Sequence, residues 1–348
     1  MKIGTNHAFQ CPPWTEPGRV FAEEIERVQA SERLGFESAW LGEQHFSRYA
    51  ICGDVLAMAS HLLGVTERIK IGTAVVNLTF TNPLRFLERV AILDHIAKGR
   101  LEVGIGRGYQ VPQYGVMGVD MARSRELFDE NLDIVLAAWE GEEIDHHGSF
   151  YDFSGVRVLP TPSRAPEEIL LMAAAQSPES FTASVRRRIP AIISRSFEPV
   201  ADEIDTYEKY RGQVADAGLD AADFMGRVQI MRYVHVAPTR EQALEEARGP
   251  LEWHMAMLKN LMSPDRDALQ TVNADYDPEA NRFDDAFYEA LTADTIMIDD
   301  PEGLTERLAV LRDAGVTRMI AFFGAGGMER DLQLRAMRLF AEQVMPRL

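Results

Sequence analysis

The stretch Trp40-Leu41-Gly42-Glu43-Gln44-His45-Phe46 (WLGEQHF) decides how the rest of the chain is interpreted. Its first residues are apolar and suit the end of a buried strand, whereas Glu43, Gln44 and His45 are polar and come where that strand is expected to end. Polar groups directly after a strand are typical of α/β proteins that work at the carboxyl ends of parallel strands. We therefore expect a parallel sheet with a site at that edge.

The remainder of the chain repeats this pattern of a short β-rich run followed by a helical pattern. The predicted strands are Lys2–His7, Glu37–Gly42, Ile69–Asn77, Leu101–Ile105, Ile169–Ala174, Ile189–Ser194, Val228–Val236 and Thr317–Gly324. Eight strand–helix units predict an α/β fold of the closed (β/α)8 TIM-barrel type with rim insertions. A doubly wound sheet is the alternative, because the same alternation of elements produces it.

Three segments interrupt the alternation. His146–Val158 is aromatic and turn-rich and is expected to form an excursion on the rim, and Ser196–Leu219 is expected to be a helix with a loop. The segment from about 260 to 300 is rich in Asp, Asn and Ala and shows no clear strand, so it is either a lid over a site or a bystander loop. We expect one domain covering residues 1–348.

Composition limits the classes of function. The 348 residues are 46% hydrophobic and 26% charged, as in a globular protein with a substantial core, and the formal net charge is −18. Such a surface repels nucleic acids and anionic membranes, so neither is an expected partner. The first residues lack the apolar core of a signal peptide, and Cys11 and Cys52 lie in no metal or redox spacing. A cytoplasmic protein is expected.

Several residues are candidates for chemistry. His45 beside Glu43 at a strand end suits acid–base catalysis, although a lone histidine is as often structural. Arg107, between Gly106 and Gly108, either sits in a tight turn or forks onto a phosphate. No helix is expected to begin at once after it, because Pro112 and Gly115 interrupt the next stretch of the chain.

The stretch Ala175-Gln176-Ser177-Pro178 suits the start of a helix after a strand, with Ser177 as the N-cap. A helix start there offers free N–H groups to an anion and Ser180 adds a hydroxyl, but ordinary capping without a ligand explains this stretch better when it is taken alone. His146 and His147 are adjacent and point to opposite faces of an extended segment, so no metal site is expected.

Taken together, five stretches carry a family resemblance: WLGEQHF, the block from Gly72 to Gly108, VDMARSREL, AAAQSPES and MRLFAEQVMP. The chain resembles the bacterial luciferase-like family of flavin-dependent monooxygenases nearly end to end, and within it most closely the luciferase α subunit. The resemblance implies a (β/α)8 barrel that binds reduced FMN supplied by a separate flavin reductase. The flavin would react with O2 to a C4a-hydroperoxide that oxidises a small or long-chain apolar organic substrate.

The resemblance also implies roles for individual residues. The cofactor-binding positions that it implies are Ala74, Val75, Arg107, Tyr109, Arg125, Ala175, Gln176, Ser177, Ser180 and Ser194. Among these, Arg107, Ser177 and Ser180 match the phosphate ligands, and Ala74-Val75 matches a non-prolyl cis peptide against the flavin ring. His45, Gln44 and Glu43 match the catalytic positions. A homodimer paired through helices beside the early strands is also implied.

The chain departs from luciferase at informative positions. Luciferase has Glu-His-His-Phe where this chain has Glu43-Gln44-His45-Phe46, and Gln44 cannot take a proton. An aspartate of luciferase falls near Gln113, and its reactive cysteine is replaced within Ile105-Gly106. These changes predict a non-luminescent monooxygenase. Deazaflavin-dependent hydride transfer and a non-catalytic partner subunit are the alternatives.

Overall fold

The computed structural model describes residues 1–173, 178–262 and 276–348 and contains a closed barrel of parallel strands. In chain order the strands are β1 Lys2–His7, β2 Ser38–Leu41, β3 Lys70–Asn77, β4 Leu101–Gly106, β5 Ile144–His147, β6 Asp152–Val156, β7 Leu170–Ala173, β8 Ala191–Ile193, β9 Gln229–Val236, β10 Met297–Asp299 and β11 Arg318–Phe322. All except β5, β6 and β10 form the barrel wall, and these eight correspond to the predicted strands.

Helices follow the barrel strands and cover their outer face. They are α1 Pro17–Arg33, α2 Val55–Val65, α3 Pro83–Ala97, α4 Val111–Met117, α5 Ser124–Ala137, α6 Pro166–Ile169, α7 Pro178–Arg187, α8 Val200–Asp216, α9 Ala221–Met225, α10 Arg240–Leu261, α11 Asp285–Asp294, α12 Pro301–Asp313 and α13 Arg330–Leu339. Their starts are encoded locally. Asn82 accepts hydrogen bonds from Leu84 N and Arg85 N ahead of α3, and Asp300 caps α12 in the same way.

Pairing at both seams shows that the sheet is closed. Ile192 of β8 pairs with Gln229 of β9, and Lys2 of β1 pairs with Arg318 of β11, all in parallel. A doubly wound sheet would leave two strands with free edges, so the closure excludes that alternative. The carboxyl ends of β1 to β4, and hence the residues directly after them, therefore lie around one mouth of the barrel.

The wall divides at β9. Residues 230–233 of this strand pair with β11, whereas residues 234–236 pair with β10, which lies outside the closed barrel. The expectation that 260–300 contains no strand was wrong, because α11 and β10 form within it. These short elements were hidden by the acidic composition around them. Residues 263–275 of the expected lid lie outside the described residues.

A second correction concerns the loop after β4. Helix α4 begins at Val111, although Pro112 and Gly115 were expected to prevent an early helix. Proline is compatible with the first helical turn, where its missing N–H would have no intrahelical partner. The residues after Arg107 are thus held by a short helix rather than by an open loop. The rim excursion forms the antiparallel hairpin β5–β6.

The barrel interior is packed in its middle and at the amino ends of its strands. Trp40, Leu171, Ile192 and Ile320 form a buried apolar plug across its middle. At the amino ends of the strands, Glu102 Oε1 lies 2.9 Å from Lys70 Nζ and 3.3 Å from Arg318 Nη1, so charged groups close that end. The carboxyl ends are where barrel enzymes place their chemistry.

Candidate active site

Small residues form a shelf above the plug. Side chains alternate along a strand, so the positions one layer beyond the plug are Gly42 after β2, Ala74 on β3, Gly106 on β4, Ala173 on β7 and Ser194 after β8. A Cβ on Gly106 would lie 2.6 Å from Val75 Cγ2 and 3.4 Å from Ala173 Cβ. The space beside Gly106 is thus occupied by Val75 and Ala173. The shelf is a closely packed surface of small residues at the mouth.

Aromatic residues stand opposite the shelf. Tyr233 of β9 and Phe322 of β11 are stacked with ring centroids 4.7 Å apart, and Phe197 lies 5.0 Å from Tyr233. One side of the mouth is therefore wide and lined by small side chains, whereas the other is closed by rings.

Arg107 comes directly after the shelf residue Gly106 and its side chain is exposed. Its Nη1 donates to Ser124 Oγ at 2.9 Å, and Tyr114 Oη donates to its carbonyl oxygen at 2.7 Å. The backbone is thus fixed, and most guanidinium N–H groups form no hydrogen bond within the described residues. Arg125 comes next to Ser124 and is also exposed. Two arginines beside an open shelf are suited to a phosphate.

The end of β7 lies beside the end of β4, which Arg107 follows, because Ile105 is paired with Met172. Ser180 lies in the first turn of α7 and is partly buried. The predicted ligands Ala175, Gln176 and Ser177 lie outside the described residues. Ser194 is exposed at the end of β8, with its Oγ 3.9 Å from Met231 Sδ.

The Ala74–Val75 peptide is cis and involves no proline. Both side chains are partly exposed and pack against the plug. The pairing of β3 with β4 shifts between Thr73 and Val76, so this peptide lies at an irregularity of the wall facing the mouth. The geometry expected from the family resemblance is present at the expected position.

Glu43 and His45 form a hydrogen-bonded pair after β2. Glu43 Oε1 lies 3.2 Å from His45 Nε2 and accepts the N–H of Asn77 at 3.1 Å. Both side chains are largely buried, and the His45 ring packs edge-on against Phe80 at 5.9 Å. The carboxylate thus orients the imidazole.

Gln44 belongs to a network that the sequence did not predict. Gln113 Nε2 donates to Gln44 Oε1 at 3.0 Å and to Gln110 Oε1 at 2.6 Å. The amide nitrogens of Gln44 and Gln110 each donate to Tyr109 Oη at 3.4 Å. The predicted site residues Gln44 and Tyr109 are therefore brought together by two glutamines. Gln110 and Gln113 come shortly after Tyr109, at the start of α4. This position was the signal that the sequence offered for the network.

A cluster of buried polar side chains lies beside Tyr109. The hydroxyl of Tyr49 interacts with those of Tyr109 and Tyr233. Tyr233 Oη lies 2.7 Å from His254 Nε2, and His254 Nδ1 lies 2.8 Å from Gln10 Nε2. Burial lowers the pKa of His254 to about 3, so this imidazole is neutral at ordinary pH. Nothing in the local sequence around these residues predicts their meeting.

The two adjacent histidines of the hairpin do not meet. His146 Nε2 lies 3.0 Å from Glu130 Oε1, whereas His147 Nδ1 lies 2.8 Å from Asp152 Oδ1. Over residues 1–173, 178–262 and 276–348, no group of three or more His, Cys, Asp or Glu is arranged to hold a metal ion. The same residues include no helix long and apolar enough to cross a bilayer.

These features define a barrel protein with a shelf of small side chains, exposed arginines beside it and a histidine–carboxylate pair at the rim. The model of the luciferase-like monooxygenase family matches residues 1–318, and the chain belongs to that family. A curated relative is the alkanal monooxygenase alpha chain of the Kryptophanaron alfredi symbiont, which is 29% identical over 99% of this chain and 98% of its own.

Solved structures share the whole fold. Monooxygenase RslO1 from Streptomyces bottropensis superposes with a TM-score of 0.84 at 25% identity over 99% of both chains. The oxygenating constituent of 3,6-diketocamphane monooxygenase from Pseudomonas putida, solved with FMN, gives 0.77 at 18% identity over 99% of this chain and 98% of its own. An F420-dependent secondary alcohol dehydrogenase gives 0.75 at 15% over 99% and 98%.

Proposed function

We propose that this protein is an FMN-dependent monooxygenase that uses reduced FMN and O2 to oxidise an apolar organic substrate without emitting light. One oxygen atom enters the substrate, the other leaves as water, and the reduced flavin supplies both electrons. The observation that carries the proposal is the direct succession of Gly106 and Arg107, which places an exposed guanidinium at the edge of the shelf. A flavin ring on the shelf would have its phosphate chain within reach of that cation.

The residues present fit this cofactor. Arg107, Arg125 and Ser180 would hold the phosphate, with Ser177 as a further proposed ligand. Ala74, Val75, Ala175, Gln176 and Ser194 are proposed to contact the ring or chain. The bound flavin supplies the reducing power and the oxygen chemistry, and the residues of this chain bind it, orient it and limit the access of water.

His45 is the proposed acid–base group. Glu43 Oε1 holds its Nε2 at 3.2 Å, so the ring is oriented and Nδ1 is available. Gln44 accepts a hydrogen bond from Gln113 and donates one to Tyr109, so it positions its neighbours and does not exchange protons. An amide side chain neither gains nor loses a proton at ordinary pH. The acid–base role is therefore assigned to His45 and not to Gln44.

A deazaflavin-dependent hydride-transfer enzyme is the second candidate, since a related fold binds F420. An anaerobic titration with reduced FMN and, in parallel, with reduced F420 separates the two. We expect tight binding of reduced FMN. Mixing the complex with oxygen should then give a long-lived species whose absorbance spectrum matches neither reduced nor oxidised flavin. Binding of F420 alone would replace the monooxygenase with a hydride-transfer enzyme. Binding of neither would indicate a non-catalytic partner subunit.

We propose a separate flavin reductase as the source of reduced FMN and a homodimer as the assembly. The dimer proposal is supported by α3, on which Ile92 and Ile96 are 53% and 49% exposed and lie one turn apart. Val65 at the end of the neighbouring helix α2 is also exposed. Apolar side chains grouped on adjacent helices are typical of a surface that another protein covers.

A further inference from the structure

We propose that Gly53 keeps open the edge of the His45 ring at which this histidine exchanges its proton with water. The proposal deepens the proposed function and rests on it for the acid–base role of His45. Gly53 lies in the loop that leads from His45 to α2, and it is exposed. Its lack of a side chain leaves a space beside the imidazole.

The hydrogen bond of Nε2 decides which nitrogen of His45 acts as the base. Glu43 Oε1 lies 3.2 Å from Nε2 and also accepts the backbone N–H of Asn77 at 3.1 Å. A carboxylate acceptor requires the hydrogen of the neutral ring to be on Nε2, which leaves the lone pair on Nδ1. Nδ1 forms no hydrogen bond within residues 1–173, 178–262 and 276–348. It is therefore the nitrogen that takes up a proton.

The other sides of the His45 ring are covered. The ring centroid of Phe46 lies 5.6 Å from that of His45, and Phe80 packs edge-on at 5.9 Å. Glu43 holds the Nε2 edge, and the His45 side chain is 12% exposed. A Cβ built on Gly53 would lie 3.4 Å from Nδ1 and 3.8 Å from Cε1. Gly53 thus stands at the edge of the ring that carries the basic nitrogen.

Backbone conformation does not explain the glycine at this position. The φ of Gly53 is outside the left-handed region that favours glycine. The chain is held on both sides, since Cys52 O accepts the N–H of Gln44 at 3.1 Å. Asp54 caps α2 by accepting the N–H of Ala57 at 3.0 Å. The missing side chain therefore matters for the space beside the imidazole and not for the course of the chain.

The space beside Nδ1 is in contact with solvent, because Gly53 is exposed. Hydrogen-bonded nitrogen and oxygen atoms lie about 2.7–3.2 Å apart, so a methyl group at the Cβ position leaves no room for a water between itself and Nδ1. With glycine, Nδ1 takes a proton from solvent through a water at this edge and returns it by the same route. His45 is thus able to regain its starting charge while a ligand occupies the mouth.

The first test uses the protein without cofactor, with D2O as the probe. The hydrogen on Cε1 of a histidine exchanges slowly with solvent deuterium, and mass spectrometry of peptides measures the rate for His45 and for the exposed His61 separately. Gly53→Ala should slow the exchange at His45 several-fold and Gly53→Val should slow it further, with His61 unchanged. Gly64→Ala on α2 is the matched control, because a Cβ there meets no atom within 4 Å, and both histidines should exchange as in the wild type.

The alanine variant gives the decisive result. A contact of 3.4 Å is an ordinary van der Waals distance, so Gly53→Ala is expected to fold even if the larger valine is not accommodated. Exchange at His45 that is as fast in Gly53→Ala as in the wild type would overturn the proposal. A loss of equal size in Gly64→Ala would do the same.

The second test follows the bound cofactor without substrate. Reduced FMN is bound anaerobically and mixed with O2, which converts the pair to oxidised FMN and H2O2, and absorbance records the rate. Gly53→Ala should bind reduced FMN as the wild type does and should slow this reaction by up to about 10²-fold, the lower end of the range for an acid–base group. The double variant Gly53→Ala/His45→Ala should be no slower than His45→Ala, because the route runs through His45.

An unchanged rate in Gly53→Ala, or additive losses in the double variant, would overturn the route through Gly53. If FMN does not bind the wild type, the proposed function fails. The deuterium exchange of the cofactor-free protein still decides in that case whether Gly53 opens the basic edge of His45 to water.

Discussion

Gln113 Nε2 donates a hydrogen bond to Gln44 Oε1 at 3.0 Å, so the two glutamines that depart from the luciferase pattern are in direct contact. Luciferase carries a histidine at the position of Gln44 and an aspartate near that of Gln113. The two departures therefore form one change, in which a pair that can exchange protons is replaced by a pair of amides. Gln44 is held by Gln113 but has no acid–base capacity.

The first prediction concerns this pair. The double variant Gln44→His/Gln113→Asp should add to the pH profile of turnover an ionisation near the ordinary histidine pKa of about 6.5, raised somewhat by the carboxylate. Gln44→His alone should lose the oriented partner and give a smaller effect. Steady-state rates from about pH 5 to about pH 9 measure this. Additive single effects would show that the two positions do not act together.

Arg107 is expected to dominate binding of the cofactor phosphate. Arg107→Ala removes charge-assisted hydrogen bonds of about 1.5–3 kcal/mol, which corresponds to about 10- to 150-fold weaker binding of reduced FMN. Arg123→Ala is the matched control, because Arg123 lies at the same rim but pairs with Glu126 and stacks on Phe150. Anaerobic titration of both variants measures the difference. Unchanged affinity in Arg107→Ala would remove Arg107 from the site.

His45→Ala should slow turnover by about 10²- to 10⁴-fold, as expected for loss of an acid–base group, with reduced FMN still bound normally. His61→Ala on the exposed face of α2 is the control and should leave the rate unchanged. Single-turnover measurements with pre-bound reduced FMN separate the chemical step from binding. Full activity of His45→Ala would exclude His45 from the mechanism.

His254 should make stability depend on pH. Its pKa is about 3 in the folded protein against an ordinary 6.5, so between these values the unfolded chain holds a proton that the folded protein lacks. Its contribution is complete above 6.5 and is lost as pH falls through that window, by up to about 1.4 kcal/mol per pH unit. Urea unfolding of His254→Gln should show a shallower acid slope than the wild type, and equal slopes would contradict the prediction.

The exposed face of α3 should control assembly. Ile92→Glu/Ile96→Glu places two charges on the proposed interface and should convert a dimer to a monomer in sedimentation-velocity experiments. Val310→Glu is the control, because Val310 is 51% exposed on α12, on a different part of the barrel. A wild type that sediments as a monomer would overturn the dimer proposal. A dimer that persists in the double variant would show that the contact lies elsewhere.

Residues next to one another in sequence carried most of what could be predicted. The eight barrel strands are apolar runs followed by helical patterns, and Glu43, His45 and Arg107 come directly after strands, so the fold itself places them at the mouth. Strand β10 was not predicted, because Met297–Asp299 is only three residues long and lies among aspartates. Helix α4 was not predicted, because Pro112 was taken to prevent a helix. Proline is compatible with the first helical turn, where Pro112 lies.

The buried network could not be predicted from local patterns. Gln10 and His254 are separated by 244 positions, and each looks ordinary in its own segment. Their contact depends on the curvature of the barrel, which brings the loop after β1 against α10. A single sequence contains no periodic signal for such contacts, whereas it contains a strong one for strands and helices.

The pairing of β9 changes partner along the strand, from β11 to β10. Closure of the barrel therefore does not depend on the length of the segment between β9 and β10. The eight strands keep their register whatever connects residues 237 and 297, since the upper part of β9 pairs with β10 outside the ring. Recombination between relatives at these two positions would therefore exchange the segment that includes α10 and α11 while the eight-stranded wall is kept. Libraries built in this way would vary that segment on a constant framework.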